Sequence, residues 1–185
     1  MELGFYRFAN KEPNRLAIVG PNEELVSRGE LLSKANKLTH ALRDLGLKKF
    51  DTVAVVLPNS VEYFVVYMAC LQAGFYLVPI NWHLAGPEIA YILEDSEAKA
   101  FIASGKNPDM EKACINAVSE ISFDKKGCIT IDELEGFRHI DDFTKSMPDE
   151  NPHDRSAGQV MNYTSGTTGK PKGVKRNLVL SLIHI

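Results

Sequence analysis

Cysteine is scarce in this sequence: Cys70, Cys114 and Cys128 are the only three in 185 residues. Their number is odd and no pair has C-x-x-C spacing, which argues against a disulfide framework, a thiol redox motif or a cysteine zinc site. They read as buried small hydrophobes rather than nucleophiles, and a reducing, cytoplasmic setting fits them best. An excess of either charge is also missing. The formal net charge is −3, without the basic stripe that a nucleic-acid binder shows. The first residues, Met1 to Arg7, lack the charged-then-apolar run of a signal peptide. A long apolar run is almost present. Tyr63 to Ile80 carries no charged residue, close to the minimum for a membrane span. Gln72, Gly74 and Pro79 interrupt it. The run reads as a helix closed by a glycine cap, then a strand. No transmembrane segment is expected, which still leaves room for peripheral membrane contact. Internal repeats and low-complexity tracts are lacking too.

What is present is an ordinary globular composition, 44% hydrophobic and 24% charged, in a chain long enough for one domain with a real core. Between Arg28 and Leu45, apolar residues fall at Leu31, Leu32, Ala35, Leu38, Leu42 and Leu45, a spacing near 3.6 that predicts an amphipathic helix ending at Gly46. Asp51 to Leu57 is a β-branched apolar run suited to a strand covered on both faces. Pro58 to Ser60 offers a turn and an N-cap for a helix reaching about Ala73. A strand near Tyr76–Ile80 follows. Gly86, Pro87 and Glu88 open another helix, with Pro87 near its tolerated first position. Lys99 to Ala103 predicts the next strand. Strand alternating with helix implies βαβ units and an α/β fold, a mostly parallel sheet flanked by helices. Further on, the pattern predicts a helix near 108–119, a short strand near 120–123 and one or two short helices before Pro148. Asp149 to Ser156 is polar and contains Pro152, so it is expected as a surface connection. Gly158 to Thr164 is expected as one strand that delivers the chain to a glycine-rich loop.

Residues 164–173 hold three glycines, three threonines, one serine and two lysines. Composition alone would fit a flexible linker. The residue types also fit a polyphosphate. Gly166, Gly169 and Gly173 let the backbone approach a ligand and form an anion-binding nest. Thr164, Ser165, Thr167 and Thr168 supply hydroxyl donors, and Lys170 and Lys172 supply positive charge. Pro171 stiffens the chain between the lysines. The Walker A pattern is not met, because Gly166 stands three residues before Gly169 and Pro171 follows Lys170.

The order of residues from Tyr163 to Val174 resembles the phosphate-binding signature of the AMP-forming adenylating enzymes, over twelve consecutive positions. That superfamily includes acyl-CoA synthetases, peptide-synthetase adenylation domains and luciferases. Upstream, residues 35–47, 53–60, 69–74, 78–84 and 88–96 are similar to the family's N-terminal subdomain. The segment Asn81-Trp82-His83-Leu84 leans toward a fatty or aryl acyl-CoA synthetase.

The resemblance implies that the chain is the incomplete N-terminal part of the large adenylating-enzyme domain, residues 1–185, without the C-terminal domain. It implies ATP, Mg2+ and coenzyme A as cofactors and a small-molecule carboxylic acid as substrate. The acid is activated to an acyl-adenylate with release of pyrophosphate, then captured by a thiol. The implied phosphate contacts are Thr164, Ser165, Gly166, Thr167, Thr168, Gly169, Lys170 and Lys172. Lys172 is the mobile cationic contact, and Thr164 is the hydroxyl near magnesium. The family's adenine and ribose contacts, acidic magnesium ligand, hinge and catalytic lysine all follow the loop. No catalytic residue is therefore expected in this fragment, which is expected to be inactive alone. Two departures stand out. Val174 to Leu178 runs directly through Lys175, Arg176 and Asn177, without the Thr-His or Ser-His that many members carry. Residues 179–185 do not resemble the family's continuation. A short non-catalytic protein that binds a nucleotide or a partner is the alternative reading.

Other polar residues read blandly. Trp82 and His83 are expected in packing and turn structure. His40 is expected on the wet side of its helix. His139 and His153 have no ligand-spaced partner. Asp132, Glu133 and Glu135, and likewise Glu94 and Asp95, are expected as solvated acidic faces.

Overall fold

The computed structural model describes residues 4–164 and 170–176. An N-terminal helix α1 (Gly4–Lys11) precedes an antiparallel hairpin of β1 (Leu16–Val19) and β2 (Leu25–Ser27). Sequence pattern announces none of these three, because each is too short to show a period. The helix α2 (Arg28–Asp44) begins at a capping box: the Glu30 amide donates to Ser27 Oγ at 3.2 Å, and the Ser27 amide donates to Glu30 Oε2 at 2.8 Å. Two orphan donors of the first turn are thereby satisfied.

The central βαβ succession follows the apolar pattern closely. It runs β3 (Thr52–Val56), α3 (Val61–Ala73), β4 (Tyr76–Pro79), α4 (Gly86–Asp95), β5 (Ala98–Ala103) and α5 (Pro108–Glu120). The helix α3 starts at the Ser60 cap and stops at Gly74, whose φ of 77° is the left-handed conformation a glycine enters without a Cβ clash. Its 13 residues end well short of a membrane span. Among the described residues no helix is long and apolar enough to cross a membrane.

The remaining strands complete a six-stranded sheet, ordered β7-β6-β5-β3-β4-β8 and parallel throughout. Here β6 is Cys128–Thr130, β7 is Arg138–His139, and β8 is Gln159–Val160, with the short helix α6 (Ile140–Thr144) between β7 and β8. Every residue of β3 is buried. Val53 and Val55 face a core shared with α2 and α3, while Ala54 and Val56 face one shared with α4 and α5. The period-2 alternation of a strand thus feeds two cores, which is why the strand reads as continuously apolar.

Four expectations need correction. The strand expected near 120–123 is the frayed end of α5: the Phe123 amide donates to the Val118 carbonyl at 2.9 Å, and Ser122 has φ 51°. Its place beside β5 is taken by Cys128–Thr130. The single strand expected over 158–164 is broken in two. Tyr76 and Ile80 donate toward β3, so the next position facing β8 after Leu77 is Pro79. Proline has no N–H, and the ladder stops once Met161 has donated to the Leu77 carbonyl at 2.8 Å. Asp132 is not a wet carboxylate. It accepts from Ser104 Oγ at 2.6 Å and from Thr130 Oγ1 at 3.2 Å, and so ties the turn after β5 to the end of β6. His40 is not free in solvent either, because its Nε2 lies 3.1 Å from the Glu150 carbonyl.

That contact belongs to a larger network. The connection 149–156 does run over the surface, but it is stitched to α2 and α3. Asn36 donates to the Asp149 carbonyl at 2.8 Å, Arg43 pairs with Asp154 at 2.6 Å, and the Ser156 amide donates to the Gln72 carbonyl at 2.9 Å. At its centre Gln72, only 2% exposed, donates to Asn36 Oδ1 and Thr39 Oγ1 at 3.0 and 2.8 Å and accepts from Arg155 Nε at 3.0 Å. Gln72→Leu keeps the volume but removes the hub of these bonds. It is expected to destabilise the chain by about 2 kcal/mol or more, the cost of leaving buried polar groups unpaired. Urea denaturation measures this; a midpoint equal to wild type would contradict the assignment.

Candidate functional site

The candidate site is built where the parallel sheet ends. Strand β8 leaves the sheet at its C-terminal edge, where ligands sit in open α/β sheets. Two residues later the chain forms β9 (Tyr163–Thr164), which pairs antiparallel with β10 (Lys172–Gly173). The two ends of the glycine-rich segment are therefore paired as a hairpin. Ser165, Gly166, Thr167, Thr168 and Gly169 lie outside the described residues. Thr164, Lys170 and Lys172 are described, and all three are exposed.

Register sorts the hairpin into two faces. Thr164 is directly opposite Lys172, and Tyr163 is directly opposite Gly173. Opposed residues in an antiparallel pair project to the same side. The hydroxyl and the ammonium that the loop motif singles out therefore share one face. Tyr163 and Gly173 share the other. There the Tyr163 phenol donates to Asp95 Oδ2 at 2.6 Å, which fixes the hairpin to α4. A Cβ on Gly173 would lie 2.9 Å from Cζ of the Tyr163 ring, so a larger residue there would push that ring aside. Asp95 is exposed, as expected, and is also the anchor of the loop's entry.

Two further tyrosines hold the exit. Tyr91 donates to the Pro171 carbonyl at 3.1 Å, and the Lys170 ammonium lies 5.0 Å from the Tyr91 ring centroid. Tyr76 donates to the Arg176 carbonyl at 2.8 Å, and the Lys175 ammonium lies 4.9 Å from its ring. Neither tyrosine is marked by the loop motif. The one signal available in the sequence is the i, i+4 spacing of Tyr91 and Asp95, which puts both on one side of α4.

Trp82 and His83 occupy the turn before α4, as expected. The Trp82 ring stacks on His83 at 3.5 Å, and the His83 amide donates to Asn81 Oδ1 at 3.1 Å. They also line an open cleft of about 490 Å3, together with Pro87, Asn107, Lys112 and Asn116. The three cysteines are buried, and burial pushes their thiols up, to about 12 for Cys114 and about 11 for Cys128. Such thiols are not nucleophiles at neutral pH. Among the described residues no group of three or more His, Cys, Asp or Glu could hold a metal ion.

The model of the AMP-binding enzyme family matches residues 5–179. The chain belongs to that family. Among its relatives, a long-chain-fatty-acid–CoA ligase of Mycobacterium tuberculosis is 32% identical over 170 residues, covering 90% of this chain and 32% of the relative. A 2-succinylbenzoate–CoA ligase of Bacillus licheniformis is 32% identical with the same coverage. Among solved structures, the anthranilate CoA ligase AuaEII in complex with anthranoyl-AMP superposes with a TM-score of 0.77 at 24% identity, over 92% of this chain and 33% of that one. A putative long-chain-fatty-acid CoA ligase from Rhodopseudomonas palustris gives 0.74 at 25% identity, over 91% of this chain and 42% of that one. The chain spans about a third of the length of the curated CoA ligases it matches. The fold is accordingly that of an N-terminal part of an adenylating enzyme.

Burial, and next the bond to the Asp95 carboxylate, push the Tyr163 phenol above its ordinary value. The folded state then keeps a proton that the unfolded chain loses near pH 10. This contribution to stability is complete below about pH 10 and is lost as pH rises toward the folded value. Urea midpoints followed through alkaline pH should therefore fall less steeply for Tyr163→Phe than for wild type. Equal slopes would contradict the Tyr163–Asp95 anchor.

Proposed function

We propose that this chain supplies the phosphate-gripping element of an ATP-dependent acid–thiol ligase that makes acyl-CoA thioesters, with fatty or aryl acids as the substrate class. The observation that carries the reading is the register of the hairpin, which puts Thr164 and Lys172 on one exposed face at the C-terminal edge of the sheet. Support comes also from the family match and from relatives that are named as CoA ligases.

In this reading the hairpin holds the β- and γ-phosphates of ATP, with Ser165, Gly166, Thr167, Thr168, Gly169 and Lys170 as its further contacts. A carboxylate oxygen of the acid attacks the α-phosphorus, the bond to the bridging oxygen breaks, and pyrophosphate leaves. A thiol, that of coenzyme A, then attacks the acyl carbon and displaces AMP. Charge grows on the departing pyrophosphate, and Lys172 is the cation placed to meet it. The donor set suits the ligand: one ammonium and one hydroxyl on a common face, at a strand end, with a glycine-rich sequence between them. Thr164 would offer its hydroxyl to Mg2+, which would neutralise phosphate charge. The groups for adenine, for the acid and for the thiol are expected outside this third of the ligase, so the chain alone is not competent.

Carboxylate-dependent ATP–pyrophosphate exchange tests this. It is measured on the chain alone and on the chain joined to the remaining two thirds of the mycobacterial ligase. Exchange is expected only in the joined protein, and Lys172→Ala is expected to lower it about a hundredfold, the usual effect of removing one transition-state donor. Exchange unchanged by Lys172→Ala would overturn the role of the hairpin. Exchange by the chain alone would overturn its incompetence.

A further inference from the structure

The second strand of the hairpin has the same device before and after it. In each case a lysine ammonium rests on a tyrosine ring while that tyrosine's hydroxyl takes the backbone carbonyl of the next residue: Lys170 and Pro171 on Tyr91, Lys175 and Arg176 on Tyr76. One side chain thus grips both a cation and the chain that carries it. Tyr91 is well placed to do this. It stands on α4, which is locked into the core by Ile89, Ile92 and Leu93, all buried. One turn further on the same side of that helix, Asp95 holds the loop's entry through Tyr163.

The two grips on Lys170 and Pro171 differ in kind. The hydroxyl–carbonyl bond fixes backbone and is indifferent to an arriving ligand. The cation–π contact occupies the charge that a polyphosphate would claim. Attraction between an ammonium and a neutral ring is weaker than that between an ammonium and a phosphate oxygen, so the ligand wins the competition. We propose that Tyr91 is a positioning residue whose ring is the resting seat of the Lys170 ammonium, and whose hydroxyl keeps Pro171 in place while Lys170 transfers to an incoming polyphosphate. This inference rests on the reading of the hairpin as a phosphate grip. It adds a residue outside the loop that sets where the loop's first lysine waits. Parking the side chain on a fixed ring restricts it before binding, instead of leaving a flexible cation to be ordered at that moment.

Reductive dimethylation of the 185-residue chain with 13C-labelled methyl groups keeps each lysine cationic. The Lys170 signal is identified by its loss in Lys170→Arg, and the Lys172 signal by its loss in Lys172→Arg. Before ligand, the Lys170 methyl signal is expected upfield from ring current in wild type and in Tyr91→Phe, and unshifted in Tyr91→Leu. Titration with inorganic tripolyphosphate should move it to the unshifted position in wild type. Tyr91→Phe, which keeps the ring and loses the hydroxyl, should weaken tripolyphosphate binding about threefold to tenfold, the worth of one net hydrogen bond. A wild-type Lys170 signal that is unshifted at the start, or that stays upfield at saturation, overturns the proposal. So does unaltered affinity in Tyr91→Phe. If Tyr91→Leu fails to fold, wild type and Tyr91→Phe decide the matter. A Lys172 signal that responds while Lys170 does not sinks this proposal alone. Tripolyphosphate that moves neither signal sinks the phosphate-grip reading with it.

Discussion

The parallel pairing of Gln159–Val160 with Tyr76–Leu77 is the contact on which the site depends. It brings a chain that has travelled over the surface back to the sheet and aims it at the C-terminal edge. Pro79 then limits the pairing. Because it offers no N–H toward β8, the strand cannot continue, and the chain is free to turn into its own hairpin two residues later. The loop is where it is because one strand ends early.

Polar contacts hold this arrangement from both ends. Before β8, Gln72 gathers Asn36, Thr39 and Arg155 into a buried network, and Ser156 pairs with the backbone at the end of α3. Such a network specifies one register for the incoming strand, since a slipped chain would leave buried groups unpaired. After β8, the side of α4 that bears Tyr91 and Asp95 takes the two roots of the hairpin. Helix α4 is packed against β5 and α5. The position of the loop is therefore referred, through two hydrogen bonds, to the centre of the fold.

Much of this was legible in residue order. The apolar spacing of α2, the β-branched runs of β3 and β5 and the cap residues Ser60 and Gly74 state their elements directly, because period and capping are local physics. The parallel α/β fold follows from their alternation. What escaped was set by tertiary partners. Strands β6 and β7 are three and two residues long; β6 forms along the edge of β5, and β7 along the edge of β6. Ile121 and Phe123 look like a strand and instead close a helix. Asn36 and Gln72 are buried polar residues whose partners include Asp149, Asn151 and Arg155, more than seventy positions away, and Thr39 is buried between Ala35, Ala69 and Gln72. At the site, the loop motif names Thr164 and Lys172, and the register puts them on one face. It does not name Tyr91, Tyr76 or Asp95, because nothing local to those residues records that a loop will settle on them.

The proposed role of the hairpin formed by β9 and β10 is to receive the polyphosphate of ATP. Hydrogen–deuterium exchange of the chain, read by mass spectrometry with and without magnesium-ATP, tests it most directly. Slowed exchange is expected in peptides spanning residues 163–175, with the peptides of β3 unchanged. Slowed exchange confined to the cleft of Trp82, Lys112 and Asn116, or none at the hairpin under saturating nucleotide, would contradict it.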